Sequence, residues 1–280
     1  MPGCLSRAGR LVIASTRIHF RGGFLYQACM PATPAWPPAS TPRLFVETPL
    51  SDGASVPIEG AAANYLGNVM RLKAGDPVRL FDDQTGEWLA TVADVGKRAL
   101  RLTITAQLSA REDVPDLWLV AAPIKKGRID WVAEKACELG VARLVPVITR
   151  RTIVDKLNSE RLRAHMIEAA EQCGRTALPA LAEPVKLDAL LRDWPADRTL
   201  LFADEAGGVP LAQVAKPGSP AAILIGPEGG FTDEERAAIR AVPGAIGMSL
   251  GPRILRAETA AAAAIAIWMA AAGDWRSESR

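Results

Sequence analysis

The sequence has little of what metal sites and disulfide frameworks need. Its 280 residues include two histidines, His19 and His165, and four cysteines that lie far apart with no Cys-x-x-Cys pair. A zinc site needs a compact set of such ligands, and a disulfide-rich domain needs closely spaced cysteines. Neither kind of protein is indicated. A reducing compartment, the cytoplasm, is therefore the expected location.

The sequence also lacks an apolar run long enough to span a bilayer. The longest, residues 260–272, has 13 residues, whereas a membrane helix needs roughly 18 or more. It predicts a buried helix, and no membrane partner is expected. The composition, 49% hydrophobic and 23% charged, is typical of a globular protein. At roughly 150 residues per domain, the length predicts about two domains.

Acidic residues are absent before Glu47, although this segment holds five arginines. Of the 33 basic residues, 28 then remain against 31 acidic ones, so the rest of the chain has a formal charge of −3. A nucleic-acid-binding surface would have to be a local basic patch. Residues 1–41, which end in a proline-rich stretch, are expected to be a disordered N-terminal extension. A start codon placed too early and an organelle targeting segment remain alternatives.

Two different patterns follow this extension. Over residues 42–113, short runs alternate apolar and polar side chains, which predicts the half-buried strands of a small β-barrel-like domain with one helix near residues 59–72. Over residues 114–280, continuous apolar runs alternate with helix-like segments. This second pattern is typical of a parallel α/β sheet, with helices expected at 128–139 and 159–174.

A glycine-rich turn, Gly226-Pro-Glu-Gly-Gly230, follows one of the buried strands and is a candidate for ligand contact. Its three glycines allow positive φ and close approach of a ligand to the backbone. Thr232 and Glu235 then form the capping-box pattern of a helix start. The P-loop and Rossmann patterns are absent, and Glu228 would repel phosphate. An ordinary strand-to-helix turn is the alternative.

A second turn, Leu250-Gly-Pro-Arg-Ile-Leu-Arg256, places Arg253 and Arg256 around the apolar pair Ile254 and Leu255. Such a loop could pack a flat heterocycle and hold charge beside it. Open α/β sheets bind ligands at the carboxyl ends of their strands, where both turns are expected. The alternative is a loop whose Ile and Leu simply reach the core.

A third segment, Glu171-Gln-Cys-Gly-Arg175, ends a predicted helix at Gly174 and is expected to leave Arg175 free to extend away from it. Basic residues also follow other strands of this domain, where they could contact RNA phosphates. These residues are Lys125, Lys126, Arg128, Arg150 and Arg151.

Four motifs in this order resemble the RsmE family of bacterial 16S ribosomal RNA methyltransferases. They are Glu-Lys-Ala-Cys-Glu-Leu-Gly-Val at 134–141, the segment at 171–175, the glycine-rich turn at 226–230 and Leu-Gly-Pro-Arg-Ile-Leu-Arg-Ala-Glu-Thr at 250–259. Residues 65–76 also match, with Asn68 where family members often carry a basic residue. The resemblance implies a PUA-like β-barrel, a SPOUT-type knotted α/β methyltransferase domain with a C-terminal trefoil knot, and a homodimer. It further implies S-adenosylmethionine as methyl donor, N3 of a decoding-region uridine in 16S rRNA of the small ribosomal subunit as target, and no metal.

The chemistry of such a transfer, together with the clustering of basic residues, predicts roles for individual residues. Arg256 is expected to stabilise negative charge on the uridine carbonyls during transfer, with Arg175 as second choice. Glu258 is a candidate base, as are Glu171 and Glu228. Cofactor contacts are expected from Ile225, Gly226, Pro227, Glu228, Gly229, Gly230, Leu250, Gly251, Ile254 and Leu255. RNA contacts are expected from Arg71, Lys125, Lys126, Arg128, Arg150 and Arg151.

Two other functions remain open from the sequence. One is a related SPOUT methyltransferase that acts on transfer RNA or on a ribose hydroxyl. The other is a non-catalytic RNA-binding assembly factor that keeps the barrel and the dimer. The barrel with Arg71 favours ribosomal RNA, and binding of S-adenosylmethionine would separate an enzyme from an assembly factor.

Overall fold

The computed structural model describes residues 41–96, 98–154, 156–205 and 207–276. The predicted disordered extension, residues 1–41, lies outside the described residues except for its last position. The elements below all belong to one compact unit, Arg43–Arg280.

The first sheet has five strands in the order β1-β3-β4-β5-β2. The elements of this part are Arg43–Phe45 (β1), Ser55–Glu59 (β2), Gly60–Asn64 (α1), Pro77–Asp82 (β3), Gly86–Val95 (β4) and Ala99–Ser109 (β5). Three register shifts interrupt the β4–β5 pairing, and bulges of this kind bend a strand. The curled sheet encloses an apolar core that includes Leu66, Leu80 and Leu102.

The pattern of alternating side chains predicted four of these strands but not β2. Pro57 lies within β2, and proline in a run argues against a strand. Because β2 is an edge strand that pairs only with β5, the missing N–H is tolerated there. The predicted helix is also present, since α1 continues directly into a wider π-helical turn, Tyr65–Val69.

The second sheet has eight strands, and every pairing recorded between them is parallel. They are Leu117–Ala121 (β6), Arg143–Ile148 (β7), Ala180–Leu181 (β8), Val185–Lys186 (β9), Thr199–Ala203 (β10), Val209–Pro210 (β11), Ala221–Ile225 (β12) and Ile246–Ser249 (β13). Their order is β11-β13-β10-β12-β6-β7-β8, with β9 beside β7. The carboxyl ends of all these strands therefore meet at one edge.

Helices cover both faces of this sheet. They are Arg128–Glu138 (α2), Ser159–Cys173 (α3), Leu187–Arg192 (α4), Leu211–Val214 (α5), Asp233–Ala241 (α6) and Ala257–Ala272 (α7). Successive strand residues face opposite sides, so Leu119 packs in the core cluster with α2, α3 and α7, whereas Val120 packs in the cluster with α4 and α6. The predicted parallel α/β architecture is observed.

A buried arginine joins the barrel to the α/β part. Arg43 of β1 donates to the carbonyl oxygens of Ala170 and Arg175, and its guanidinium lies 3.7 Å from the centre of the Phe81 ring. Beside it, Glu171 Oε1 accepts the Phe45 N–H at 3.0 Å. The carboxyl end of α3 is therefore fixed against the first strand of the barrel.

Arg175 belongs to the same joint, and the expectation that it extends freely is wrong. The residue is 6% exposed, and its guanidinium donates to the carbonyl oxygens of Cys137 at 2.6 Å, Val141 at 2.7 Å and Ala177. Burial lowers the pKa of Arg175 from its usual value. Gly174 has a φ of +82° and ends α3 as predicted. The sequence pattern of a helix stop does not reveal that the next residue, Arg175, lies against the end of α2.

Candidate active site

A cavity of about 430 Å³ opens at the carboxyl edge of the parallel sheet. Its walls come from the segments that follow three strands, β10, β12 and β13. The cavity therefore lies where open α/β sheets bind their ligands. Both turns predicted to contact a ligand contribute to it, together with a third wall that the sequence motifs did not indicate.

The glycine-rich turn after β12 is fixed by the predicted capping box. Glu235 Oε2 accepts the Thr232 N–H at 2.9 Å, and Thr232 Oγ1 accepts the Glu235 N–H at 3.2 Å. The other carboxylate oxygen of Glu235 accepts the Arg150 N–H at 2.7 Å. The start of α6 is thus tied both to the glycine turn and to the segment after β7.

The three glycines of this turn are needed for different reasons. All three glycines allow a positive φ, but of the three only Gly230 adopts one, +67°. A Cβ at Gly226 would lie 3.2 Å from the Phe231 ring, and a Cβ at Gly229 would lie 3.3 Å from Arg151 Cδ. Close approach of neighbouring side chains therefore explains the other two.

The turn after β13 presents its side chains to solvent. Ile254 is 95% exposed, and Arg253 and Arg256 are exposed with no ion pair recorded within the described residues. Leu255 is half-buried and packs against the main core. The alternative that the apolar pair simply reaches the core therefore holds for Leu255 and not for Ile254.

The third wall follows β10 and was missed because no motif marks it. Its residues include Ala203, Asp204, Glu205 and Gly207. The Asp204 side chain is 1% exposed and pairs with Arg236 Nη1 at 2.6 Å and with Arg240. The available signal was positional, since an acidic pair directly follows a buried parallel strand at the ligand-binding edge.

The structure brings most of the predicted site residues into this one cavity. Of the ten residues expected to contact the cofactor, all but Gly229 line it, and Arg256 lines it as well. Gly229 instead faces Arg151, whose Nη1 donates to the Gly229 carbonyl at 2.6 Å. Arg175 and Glu258 are not among the lining residues.

Two carboxylates beside the cavity are held by one arginine. Arg128 places Nη1 at 3.5 Å from Glu228 Oε1 and Nε at 3.6 Å from Glu258 Oε1. Glu258 Oε2 is buried, and the described residues offer it no hydrogen-bond partner. Arg128 thus links the glycine turn to the start of α7, and its side chain, which is 39% exposed, stays a candidate for contact with RNA phosphate.

The third candidate base, Glu171, is remote from this arrangement. It belongs to the joint with the barrel and is not a lining residue of the cavity. Burial raises the pKa of its carboxyl group above the usual value. Glu171 therefore reads as a structural residue.

The remaining basic residues are accessible. Lys125 and Lys126 are exposed after β6, and Arg150 pairs across the surface with Glu234 at 3.2 Å. Arg71 is exposed on the barrel and has a φ of +56°, an uncommon value for a residue other than glycine. Four basic residues, Lys125, Lys126, Arg150 and Arg151, thus follow strands at the same edge as the cavity.

The described residues contain no cluster of three or more His, Cys, Asp or Glu side chains that could hold a metal ion. None of their helices has the length and hydropathy needed to cross a membrane.

Comparison with known proteins now relates this geometry to a family. The family model of an RNA methyltransferase PUA domain matches residues 58–105, and that of an RNA methyltransferase domain matches residues 111–269. Ribosomal RNA small subunit methyltransferase E of Rickettsia conorii is 31% identical over 229 residues, which cover 80% of this chain and 93% of that protein. The chain belongs to the RsmE family. The Synechocystis protein of the same name is 31% identical over 231 residues, 80% of this chain and 76% of that protein.

Solved structures of similar proteins show the RsmE fold. RsmE from Neisseria gonorrhoeae bound to S-adenosylmethionine has a TM-score of 0.78 at 29% identity and covers 84% of this chain and 99% of its own. A methyltransferase from Legionella pneumophila in complex with the same cofactor has a TM-score of 0.77 at 33% identity, with the same coverage. The predicted family, enzyme class and fold class, a PUA-like barrel followed by a SPOUT-type α/β domain, are confirmed. The trefoil knot stays a prediction.

Proposed function

We propose that the protein transfers a methyl group from S-adenosylmethionine to N3 of a decoding-region uridine in 16S rRNA, acting as a cytoplasmic homodimer on the small ribosomal subunit. Its activity as a ribosomal RNA methyltransferase follows from its family. The observation that carries the finer proposal is the cavity at the carboxyl edge, where the glycine turn lies beside an exposed turn whose two arginines form no ion pair within the described residues. We also retain the division into a barrel domain, residues 42–113, and a methyltransferase domain, residues 114–280, which the two separate sheets support.

The cavity fits S-adenosylmethionine in size and chemistry. Its volume of about 430 Å³ lies in the range of roughly 300–1,000 Å³ common for small-molecule sites. Ile225, Leu250 and Leu255 offer apolar walls for adenine, while Gly230 and Gly251, both with positive φ, expose backbone to the ligand. The cofactor supplies an electrophilic methyl group on a sulfonium.

Arg256 is assigned the stabilisation of charge on the base. As the N3–H bond breaks and the N3–carbon bond forms, negative charge spreads onto the flanking uridine carbonyl oxygens. Arg256 lies on the cavity wall with its guanidinium unpaired within the described residues, so its planar set of donors is available to those oxygens. Arg175, the second choice, donates to backbone carbonyls in the joint and is withdrawn from this role.

Glu258 and Glu228 remain candidate acceptors for the N3 proton. Arg128 holds both carboxylates near the cavity, Glu228 on the glycine turn and Glu258 at the start of α7. Glu258 retains one oxygen with no partner in the described residues. Because the positive sulfonium and the negative charge on the uridine would neutralise each other as the methyl group moves, positioning of the reactants in a dry site is expected to supply much of the acceleration.

RNA contacts are assigned to two surfaces. Lys125, Lys126, Arg150 and Arg151 follow strands at the cavity edge, where they can neutralise phosphates. On the barrel, Arg71 follows the π-helical turn at which Tyr65, Val69 and Met70 are exposed. Exposed aromatic and apolar side chains beside a cation suit unstacked RNA bases.

The homodimer is proposed from the resemblance to the RsmE family, and an exposed apolar side chain at the cavity offers a contact for it. Ile254, 95% exposed between two lining residues, Arg253 and Leu255, is where a partner or substrate would bury apolar surface. One face of α7 packs inside the chain, as its buried residues Ala264, Trp268 and others show. Light scattering at the assay concentration tests the dimer, and a fully active monomer would refute it.

Mapping of the methylated nucleotide tests the proposed reaction. The protein is incubated with labelled S-adenosylmethionine and either small ribosomal subunits or transfer RNA, and the products are reverse-transcribed. A methyl group at N3 blocks the Watson–Crick edge, so we expect label in 16S rRNA and a reverse-transcription stop one nucleotide before a decoding-region uridine. Label in transfer RNA, or a labelled ribose with no stop, would contradict the assigned target. Cofactor binding without any transfer would favour an assembly factor.

A further inference from the structure

Three carboxylates line the cavity, and within the described residues two of them have recorded partners for their side chains. Asp204 is buried between Arg236 and Arg240, and Glu228 pairs with Arg128. Glu205 is exposed, and no hydrogen bond or ion pair of its side chain is recorded within the described residues. Glu205 thus brings two acceptor oxygens to the cavity with their full capacity available.

Glu205 lies next to an anchored residue, Asp204, and close to the glycine turn. Its Oε1 lies 2.7 Å from the point that a Cβ of Gly230 would occupy, so the carboxylate approaches the backbone of the glycine turn directly. The preceding residue, Asp204, is anchored through its two arginine partners and through its N–H, which donates to the Met248 carbonyl at 3.3 Å. The end of β10 therefore presents Glu205 to the space between the walls.

The chemistry of the cofactor limits what this carboxylate can usefully hold. A carboxylate beside the sulfonium would stabilise the positive charge before transfer and lose that interaction in the transition state, which would slow the reaction. The ribose keeps both hydroxyl donors unchanged throughout transfer, and one carboxylate can accept from both. We propose that Glu205 binds the 2′- and 3′-hydroxyls of the cofactor ribose. This inference rests on the proposed cofactor cavity.

Calorimetry with two nucleosides tests the assignment without any turnover. S-adenosylhomocysteine carries adenine, ribose and the amino-acid part, whereas 5′-methylthioadenosine lacks the amino-acid part. We expect Glu205→Ala to weaken both ligands by about 10- to 100-fold, the loss of a hydrogen bond to a charged group of roughly 1.5–3 kcal/mol. Glu205→Gln, which keeps one acceptor oxygen, should lose less. Glu183→Ala, at an exposed carboxylate that does not line the cavity, is the control and should change neither affinity.

A double-mutant cycle identifies the ribose directly. In the wild type, the 2′-deoxy analogue of 5′-methylthioadenosine should bind more weakly than the parent, and in Glu205→Ala this difference should largely vanish because the partner is gone. A loss confined to S-adenosylhomocysteine would instead assign Glu205 to the ammonium group and overturn the proposal. If the wild type binds both ligands and Glu205→Ala binds them with the same affinity, the ribose assignment is wrong and the cofactor cavity stands. Failure of both nucleosides to bind the wild type would overturn the cofactor cavity as well.

Discussion

Arginines occupy two opposite environments in this protein. In the joint between barrel and α/β domain, Arg43 and Arg175 are buried and donate to backbone carbonyls. In the turn after β13, Arg253 and Arg256 are exposed and have no ion pair within the described residues. Both pairs lie in or contact segments that the sequence marks as family motifs. The difference shows that a motif arginine can serve the fold or the ligand, and that its partners decide which.

The physical cost of burial explains why the two environments are exclusive. A buried guanidinium is tolerated only where its donors are met, and the carbonyls at the ends of α2 and α3 likewise need donors. Each of the three guanidinium nitrogens of Arg175 donates to a carbonyl inside the protein, and the residue is buried, so it is not presented to a substrate. An exposed arginine keeps all its donors and can redirect them to a charge that appears only during the reaction.

The largest effect is expected from removing Arg175, one of the two buried arginines of the joint. Arg175→Ala should lower the free energy of unfolding by about 3–5 kcal/mol, because it leaves buried carbonyls without donors and opens a cavity. Urea denaturation measures the change. Arg175→Lys should recover little, since one ammonium cannot replace a fork that reaches three carbonyls. An unchanged unfolding midpoint with lost methyl transfer would return Arg175 to the catalytic group and break the comparison.

Removing Arg256, one of the two exposed arginines, should show the reverse pattern, a loss of rate without a loss of stability. Arg256→Ala should lower the single-turnover rate at saturating small subunit by about 100-fold or more, the scale of a lost transition-state donor. Its unfolding midpoint should not change, and cofactor affinity should stay within a few-fold. Arg256→Lys should recover little of the rate.

A different outcome would identify Arg256 as a phosphate contact. In that case the saturated rate would survive, while RNA affinity would fall and the salt dependence of binding would flatten by about one unit of slope. RNA binding at two salt concentrations, measured beside the single-turnover rate, separates the two roles. An unchanged saturated rate contradicts the catalytic assignment.

The sequence was informative wherever a local pattern determines the structure. The apolar run 260–272 predicted α7, which begins three residues earlier, at Ala257. The Thr232 capping box follows from its helix-start signal, and the long buried strands follow from their continuous apolar runs. The two-residue strands, such as Val209–Pro210, are too short to show a period. The direction of Arg175 and the wall at Glu205 depend on packing between distant segments, which no local pattern contains.

The glycine turn shows the same limit on a smaller scale. All five residues from 226 to 230 were expected to contact the cofactor, and four line the cavity. Only the structure reveals that Gly229 faces Arg151 and that Gly230 faces Glu205. A glycine-rich pattern thus predicts close approach to the backbone but not what approaches it.

Arg151 falls between the two groups and should give an intermediate result. Its side chain is exposed yet donates to the Gly229 carbonyl. We expect Arg151→Ala to weaken RNA binding a few-fold and to reduce the salt slope by about one, the loss of one phosphate contact. The free energy of unfolding should fall by less than about 1 kcal/mol, as for other exposed polar contacts. Arg192→Ala, at the end of α4, is the matched control. A salt slope equal to that of the wild type would place Arg151 with the structural arginines.

The smallest expected effect is a shift in the titration of the Cys173 thiol, which lies beside the buried arginines of the joint. Cys173 ends α3 and is exposed, and a hydrogen bond from the Cys137 thiol lowers the Cys173 pKa to about 6, assisted by the Arg175 N–H and the charges of Arg175 and Arg43. A lowered pKa means that the thiolate is already the main form above pH ~6, whereas an ordinary cysteine reaches that state only near pH ~8.5. Alkylation of Cys173 by iodoacetamide should therefore reach its half-maximal rate near pH 6 and level off by about pH 7.

Peptide-resolved mass spectrometry isolates this signal, because it reads Cys173 separately from Cys4 and Cys29. Cys137→Ala removes the thiol donor while the arginines stay in place, so it should move the half-maximal pH upward. A variant protein that still levels off near pH 7 would show that the arginines alone stabilise the thiolate. An alkylation rate of the wild type that keeps rising beyond pH 9 would mean that neither the Cys137 thiol nor the buried charges act on Cys173. The contrast between the buried joint and the exposed turn would then rest on the stability and rate measurements alone.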